Sequence, residues 1–393
     1  MSHLLTSRLA LLPALAFTAF TAGGSDTQTP PAEAWAWDLP AHFTTPRVPA
    51  DNPMSEAKFQ LGRHLFYDTR LSTDETFACA SCHLQEFAFA DNVDRPLGAT
   101  GDPHPRSSMS LANVAFASPL NWANPLVTRL EDQAMTPMFG DNPVELGTPE
   151  IDVLAPRLRT ATDIDYEALF AAAFPDVEGD RITLQYILYG LASFQRGILS
   201  TDAPIDRYFA GDRDAISPSA KRGMDLFHSE RLECFHCHGG PIFSASLDHN
   251  NALEPERPFH NNGLFNIDGL GAYPAGSEGV FEITGKPDDM GRFRAPSLRN
   301  ITVTAPYMHD GSMLDLDEVI DHYARGGRLI EDGPHAGDGA LSPLRSPFIP
   351  GFRLDDDERA DLHAFFEALT DESFLANPRY ASPFDAPDAT PSE

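Results

Sequence analysis

A chain of 393 residues, 42% of them apolar, is long enough for two domains of ordinary size, each with its own core. Lys plus Arg number 28 against 58 Asp plus Glu, a formal charge of −30, which excludes nucleic acid as a partner and favours a neutral or basic one unless the acid only solvates the surface. From the N-terminus, Arg8 is followed by an apolar run from Leu9 to Phe20 and small residues from Thr21 to Gly24, a signal-peptide pattern over 1–22 that implies export to the periplasm. That run is about a dozen residues, short of the roughly 20 needed to span a bilayer, so a protein that does not span the membrane is expected. Residues 23–50, with Ser, Thr, Pro and Ala crowding Gly23 to Pro40, read as a linker, and 376–393 as a flexible tail.

Between them the elements are helical. An amphipathic helix through Gly62-Arg63-His64-Leu65-Phe66 has a counterpart in Gly223-Met224-Asp225-Leu226-Phe227, each with an Ala-Lys pair upstream, Ala57-Lys58 and Ala220-Lys221. The second starts at Ser217 as N-cap with Pro218 at its first position. Further helices are predicted over Ile182–Leu199, Leu314–Ala324, ended by Gly326-Gly327, and Asp355–Leu369, with acids at its positive end. The stretch Ser246–Gly291, rich in Gly, Pro and Asn, reads as long loops.

All four cysteines fall in two copies of one pattern, Cys79-Ala80-Ser81-Cys82-His83 and Cys234-Phe235-His236-Cys237-His238. In C-x-x-C-H the two thiols add to haem vinyl groups and the next imidazole becomes the proximal iron ligand. One chance match is expected in roughly 10⁻³ of such chains. A zinc site lacks its second ligand pair here, and a thioredoxin-like pair lacks its βαβ setting. The reading is two covalent haem c groups in a mainly α chain, two cytochrome c-like haem domains related by duplication with long loops, at 51–205 and 206–375. Whether each haem passes electrons or splits peroxide depends on its second axial ligand. The residues alone leave His104, His260, His309, His322 and several Met and Tyr open.

From about Met54 to Thr370 the chain resembles the bacterial di-haem cytochrome c peroxidase family, in its MauG/MbnH-like branch. The resemblance lies in LGRHLFYDTRLS before Cys79, LEDQAMTPMFGDNPVEL from Leu130, MGRFRAPSLRNITVTAPYMHDGS from Met290 and the helix LDLDEVIDHYARGG. It implies a peroxide-reacting haem on His83 and an electron-transfer haem on His238. Conventional members carry a removable distal His seven residues ahead of an Arg-Asn pair; with Arg106 as the equivalent Arg, that position is Ala99, and His104 is out of register and expected to face solvent. The haem face is then open, as in MauG.

The family's distal Gln, Pro and Glu match Gln133, Pro137 and Glu145, with two extra residues before the Glu. Glu145 would move a proton between the two oxygens of H2O2 and Gln133 would hold the oxidant. Without the resemblance Glu145 is a solvated loop acid. The second ligand of the C-terminal haem in conventional members is a Met fourteen residues past the His of P-Y-x-H-x-G; here that His is His309 and the position holds Tyr323. A tyrosinate is the mark of MauG and MbnH; His322, on another helix face, is the rival ligand.

The resemblance also makes Trp122 an inter-haem relay, and it implies Ca²⁺ on backbone oxygens near Thr304 and Pro306, with Ser107 in place of the expected Asn. The function expected is oxidation, by H2O2, of an aromatic residue of a partner protein, a tryptophan in the MbnH case. The alternatives are a cytochrome c peroxidase drawing electrons from a small cytochrome or copper protein, and a di-haem electron carrier.

Overall fold

The computed structural model describes residues 35–253 and 258–384. The signal-peptide reading over 1–22, and the tail beyond 384, lie outside the described residues. In chain order the helices are α1 (Glu56–Tyr67), α2 (Leu130–Gln133), α3 (Met135–Phe139), α4 (Ile151–Arg159), α5 (Tyr166–Ala173), α6 (Leu184–Arg196), α7 (Pro204–Phe209), α8 (Pro218–Phe227), α9 (Phe281–Thr284), α10 (Leu316–Arg325), α11 (Asp356–Glu367) and α12 (Glu372–Leu375). Two small antiparallel pairs join them, β1 (Phe259–Asn261) with β2 (Arg292–Arg294) and β3 (Leu329–Ile330) with β4 (Gly337–Asp338). The architecture is mainly α.

Polar side chains start the long helices. Ser55 accepts from the Lys58 N–H, Thr183 from Tyr186, Ser217 from Ala220 and Asp315 from Glu318. At α11 the exchange is mutual: the Glu358 N–H donates to Asp355 and the Asp355 N–H to the Glu358 carboxylate, with acids filling the positive first turn. Gly326, at φ 82°, ends α10 in the left-handed region that glycine adopts without a steric penalty.

The same helix contact occurs twice. A Cβ on Gly62 of α1 would lie 1.9 Å from the Gly190 carbonyl oxygen of α6, and one on Gly223 of α8 would lie 1.9 Å from the Asp361 carbonyl oxygen of α11. In both pairs the next obstruction is a phenylalanine Cβ, Phe194 or Phe365, at 2.9 Å. Each pair packs backbone on backbone, and each has a C-x-x-C-H turn beside it. Around the first pair lies a core with Phe59, Leu65, Phe66, Phe89, Phe170 and Phe194; around the second, one with Phe227, Phe243, Leu362, Phe365 and Leu369. A third cluster, with Leu264, Phe293, Tyr307 and Met313, fills the region that carries Trp122.

Three expectations are corrected. Residues 35–50 of the expected linker are packed: Trp35 meets Phe59 at 5.5 Å, and Phe43 is buried against Phe116 and Ile242. Residues 376–384 of the expected flexible tail form a strap over α1. Tyr380 is 6% exposed and its carbonyl accepts from the Tyr67 hydroxyl at 2.8 Å, while the Arg379 guanidinium lies 4.3 Å from the Phe59 ring centre. Isolated aromatics in Pro-rich sequence anchor such segments without any helical period to reveal them. The expected loop Ser246–Gly291 also contains β1 and α9, and the ends of the predicted helices shift by up to three residues. Among the described residues no helix is long and apolar enough to cross a membrane.

Candidate haem centres

The two C-x-x-C-H motifs adopt the same turn, a short 3₁₀ helix at Cys79–Ser81 and at Cys234–His236. The backbone N–H of the motif histidine donates to the carbonyl of the first cysteine, His83 to Cys79 at 3.1 Å and His238 to Cys234 at 2.9 Å. Each imidazole is then oriented through Nδ1. In His83, Nδ1 lies 2.7 Å from the Phe89 carbonyl; in His238 it lies 3.1 Å from Pro296 and 3.3 Å from Phe243. Phe89 and Phe243 both sit in the left-handed region, at φ 60° and 50°, which costs a residue with a Cβ about 1–2 kcal/mol. The equivalent device at both sites leaves Nε2 as the free lone pair, the atom a haem iron takes.

Burial does the rest. It lowers the pKa of both histidines, that of His238 to about 4, so the neutral form needed for ligation prevails at pH 7. None of the four cysteines is in a disulfide, and burial pushes each thiol up to about 12.

At the second centre a cavity opens beside Cys234, Cys237 and His238, walled by Tyr323, His260 and Arg294. Two buried polar atoms on this wall, His260 Nε2 and Arg294 Nε, have no hydrogen-bond partner. Burial lowers the Arg294 guanidinium to about 10. An apolar cavity with two thiols, a proximal imidazole and orphaned donors fits a haem, whose propionates supply anionic oxygens. Sequence reasoning missed Arg294 and left His260 among several candidates. Their only signal was an Arg and a His in strands β2 and β1 that pair across the loop region, His260 opposite Phe293.

Tyr323 and His322 part ways on α10. Tyr323 lines the cavity, where burial raises its phenol above the usual range, so that without a cation beside it the ring stays protonated. His322 Nε2 instead lies 3.1 Å from the Asn262 carbonyl, outside the cavity lining, and burial lowers it to about 4. His309 stacks on Phe293 at 3.6 Å and 13°, with Nε2 at 2.7 Å from the Ser277 hydroxyl.

Near the first centre, Glu145 is close enough for its charge to act on Cys79, Cys82 and His83. The chain around it is tied to α3 and to the Ala99 loop. Leu146 N–H donates to the Pro137 carbonyl at 3.0 Å, Thr148 N–H to Met138 at 2.7 Å, and Ala99 N–H to the Glu145 carbonyl at 2.7 Å. Gln133 closes α2, whose buried Glu131 is ion-paired to Arg196 of α6 at 2.8 Å and takes a hydrogen bond from Asn52 at 2.8 Å. Gln133, Pro137 and Glu145 thus belong to one cross-tied segment. The expectation that His104 faces solvent is corrected: it is half-buried, with Nε2 at 3.4 Å from Glu145 Oε1.

Trp122 lines the second cavity and also a smaller one shared with Ser107, Thr304 and Pro306. Its indole N–H donates to the Ser107 carbonyl at 2.9 Å, and its own carbonyl accepts from Arg294 at 2.8 Å. The residues expected for a relay and for calcium therefore lie around one cavity.

A family model described as di-haem cytochrome c peroxidase matches residues 56–214, a stretch that includes the first motif. The chain is 35% identical over 389 residues to the cytochrome-c peroxidase IdrP1 of Denitromonas iodatirespirans, covering 94% of each. It is 33% identical over 343 residues to the methylamine utilization protein MauG of Methylophilus methylotrophus, covering 86% of this chain and 90% of that one. Among solved structures, a MauG-like protein associated with microbial copper homeostasis superposes with a TM-score of 0.87 at 50% identity, covering 89% of this chain and all of that one. The di-haem peroxidase BthA of Burkholderia thailandensis, at 17% identity and a TM-score of 0.63, shares the fold. With two haem centres of like construction and relatives of this extent, the chain is an oxidoreductase acting on peroxide and belongs to the di-haem cytochrome c peroxidase family.

Proposed function

We propose that this protein is a periplasmic, MauG-like oxidase that uses H2O2 to oxidise an aromatic side chain, a tryptophan, of a partner protein. Two haem c groups, attached through Cys79 and Cys82 and through Cys234 and Cys237, would supply the redox chemistry when bound, within domains at 51–205 and 206–375 related by duplication. The repeated glycine contact of α1 with α6 and of α8 with α11 supports the duplication. His83 and His238 would hold the two irons, each imidazole aimed through Nδ1 by backbone carbonyls.

The observation that carries the reading is the pair of positions 99 and 323. Ala99, where conventional members place a removable histidine, has no ligating atom, and its N–H is engaged by the Glu145 carbonyl. Tyr323, where they place methionine, lines the second cavity while His322 does not. Glu145 would move a proton from one peroxide oxygen to the other, Gln133 would orient the oxidant, and Pro137 shapes the pocket by receiving Leu146. Trp122, on the wall of the second cavity and hydrogen-bonded to Ser107, would carry electrons between the centres, with Ca²⁺ at Ser107, Thr304 and Pro306 holding that region. The −30 charge favours a neutral or basic partner surface.

The test is stoichiometric H2O2 added to the diferric protein without reductant. A spectral change at both haems that persists until a partner is supplied supports the reading; a requirement to reduce one haem first refutes it. Tyr323→Phe should alter the second haem's spectrum and His322→Phe should not. The likeness to proteins named cytochrome-c peroxidase favours a second reading, reduction of H2O2 to water with electrons from a small cytochrome or copper protein. Steady turnover with such a donor, and no modification of any partner, would select it.

A further inference from the structure

We propose that His104 is a positioning residue for Glu145: the 96–104 hairpin, whose Ala99 carries no iron ligand, serves to hold the acid of the first haem centre in place. This rests on the reading of Glu145 as the group that moves the peroxide proton.

The hairpin is closed by the His104 N–H on the Pro96 carbonyl at 2.8 Å, the Gly98 N–H on Asp102 at 3.0 Å and the bridge between Leu97 and Pro103. It then grips the Glu145 segment at two points. Gly98 lies so close to the Val144 carbonyl that a Cβ there would stand 1.9 Å from its oxygen, and Ala99 N–H donates to the Glu145 carbonyl at 2.7 Å. The other arm brings His104 Nε2 to 3.4 Å from Glu145 Oε1, the outer edge of a hydrogen bond and of the kind that tightens when an active site fills. One arm therefore holds the backbone of Glu145 and the other its carboxylate.

The far side of the ring determines what Nε2 can do. Nδ1 lies 3.1 Å from the Arg106 N–H and 2.9 Å from the Arg106 carbonyl. Neutral His104 can accept from the N–H at Nδ1, and the imidazolium can donate to the carbonyl. In the imidazolium, and in the neutral tautomer that accepts the Arg106 N–H, Nε2 carries a hydrogen toward Glu145. Burial opposes charging of His104, but the Glu145 carboxylate and the Arg106 carbonyl outweigh it and raise its pKa. The charged groups acting on the ring are Glu145 and Arg106, and His83 lies within reach of its charge.

The experiment compares wild type, His104→Ala, His104→Gln, Glu145→Gln and the double variant His104→Ala/Glu145→Gln, all haem-loaded. Two rates are read: the peroxide-induced spectral change, and cyanide association with the ferric first haem from pH 5 to 9, which needs proton removal from HCN but no turnover. Glu145→Gln should slow both about 100-fold, as for loss of a general acid–base group. His104→Ala should slow both about 3- to 10-fold, the net effect of one hydrogen bond, and change the shape of the cyanide pH profile. His104→Gln, whose amide keeps a donor, should recover most of the loss. The double variant should be no slower than Glu145→Gln alone. Wild-type rates in His104→Ala, failure of Gln to rescue, or multiplicative losses in the double variant would overturn the proposal. Wild-type rates in Glu145→Gln would instead overturn the underlying reading of Glu145.

Discussion

Gly62 meets the carbonyl of Gly190 with no room for a side chain between them, since a Cβ would stand 1.9 Å from that oxygen, and Gly223 meets the Asp361 carbonyl in the same way. An obstruction made of backbone cannot rotate aside. Gly62→Ala and Gly223→Ala should each force the helix pair apart and cost about 2–3 kcal/mol, as overpacking a tight interior does. The two contacts sit in separate cores, so the double variant should lose the sum within roughly 0.5 kcal/mol. Denaturant unfolding of the haem-loaded protein checks this; a change below that margin at either site would mean the helices accommodate the methyl.

The Arg299 guanidinium is fully buried and bidentate on Asp206 of α7, both bonds at 2.7 Å, with His42 on the same carboxylate at 3.0 Å. The Arg299 side chain also donates to the Pro241 carbonyl at 2.8 Å and lies 5.9 Å from the ring of Phe243, whose carbonyl orients His238. Asp206→Asn leaves a buried cation without its counter-charge and should cost about 3–5 kcal/mol. Because the pair sits behind the His238 loop, the second haem's spectrum should change more than the first's. Equal perturbation of both haems would show that the pair acts on global stability alone.

Glu131 gives the pH dependence. Burial works against its ionisation, but the Arg196 charge and the hydrogen bonds from Asn52 and Arg196 prevail and hold its pKa below the usual 4.5. A carboxylate whose folded pKa is depressed contributes stability that is complete above its unfolded value and is lost as pH falls through the folded one. Glu131→Gln should therefore destabilise by about 3 kcal/mol at pH 7, with a penalty that shrinks below pH 4.5 as the wild type loses its own advantage. Unfolding midpoints at pH 7, 5 and 4 measure it, and a penalty independent of pH would place the effect in packing instead.

Much of this was legible in the sequence because the signals are local. The C-x-x-C-H turns, Ser217 with Pro218 and the acids after Asp355 each act within a few residues of themselves, and the structure has turns and helix starts at those places. What was not legible depends on long-range approach. No local pattern announces that His104 would meet Glu145, that Arg294 would face a cavity with an unpaired nitrogen, or that Tyr380 would close over α1. Phe89 and Phe243 hold left-handed backbone that no phenylalanine propensity foretells, because the surrounding cores impose it.

The calcium expectation turns on Ser107. Its N–H donates to the His309 carbonyl at 2.9 Å and its carbonyl takes the Trp122 indole N–H at 2.9 Å, so the hydroxyl is what its side chain brings to an ion near Thr304 and Pro306. Calcium collects six to eight oxygens at 2.3–2.6 Å, and a serine hydroxyl reaches less far and carries less negative charge than a carboxamide oxygen. Wild type should therefore bind calcium weakly and Ser107→Asn about tenfold more tightly, a difference of about 1.4 kcal/mol. Calorimetric titration of chelator-treated protein reads the affinity directly, and the same ion should raise the unfolding midpoint of the variant more than that of the wild type, in line with linkage. Because Ser107 also holds the Trp122 indole, the proposed relay through Trp122 requires that calcium removal slow electron exchange between the haems in the variant and leave the spectrum of the haem at His83 unchanged. Equal affinity in the two proteins would mean that position 107 is not an ion ligand, and the small cavity beside Trp122 would then serve only to seat the tryptophan.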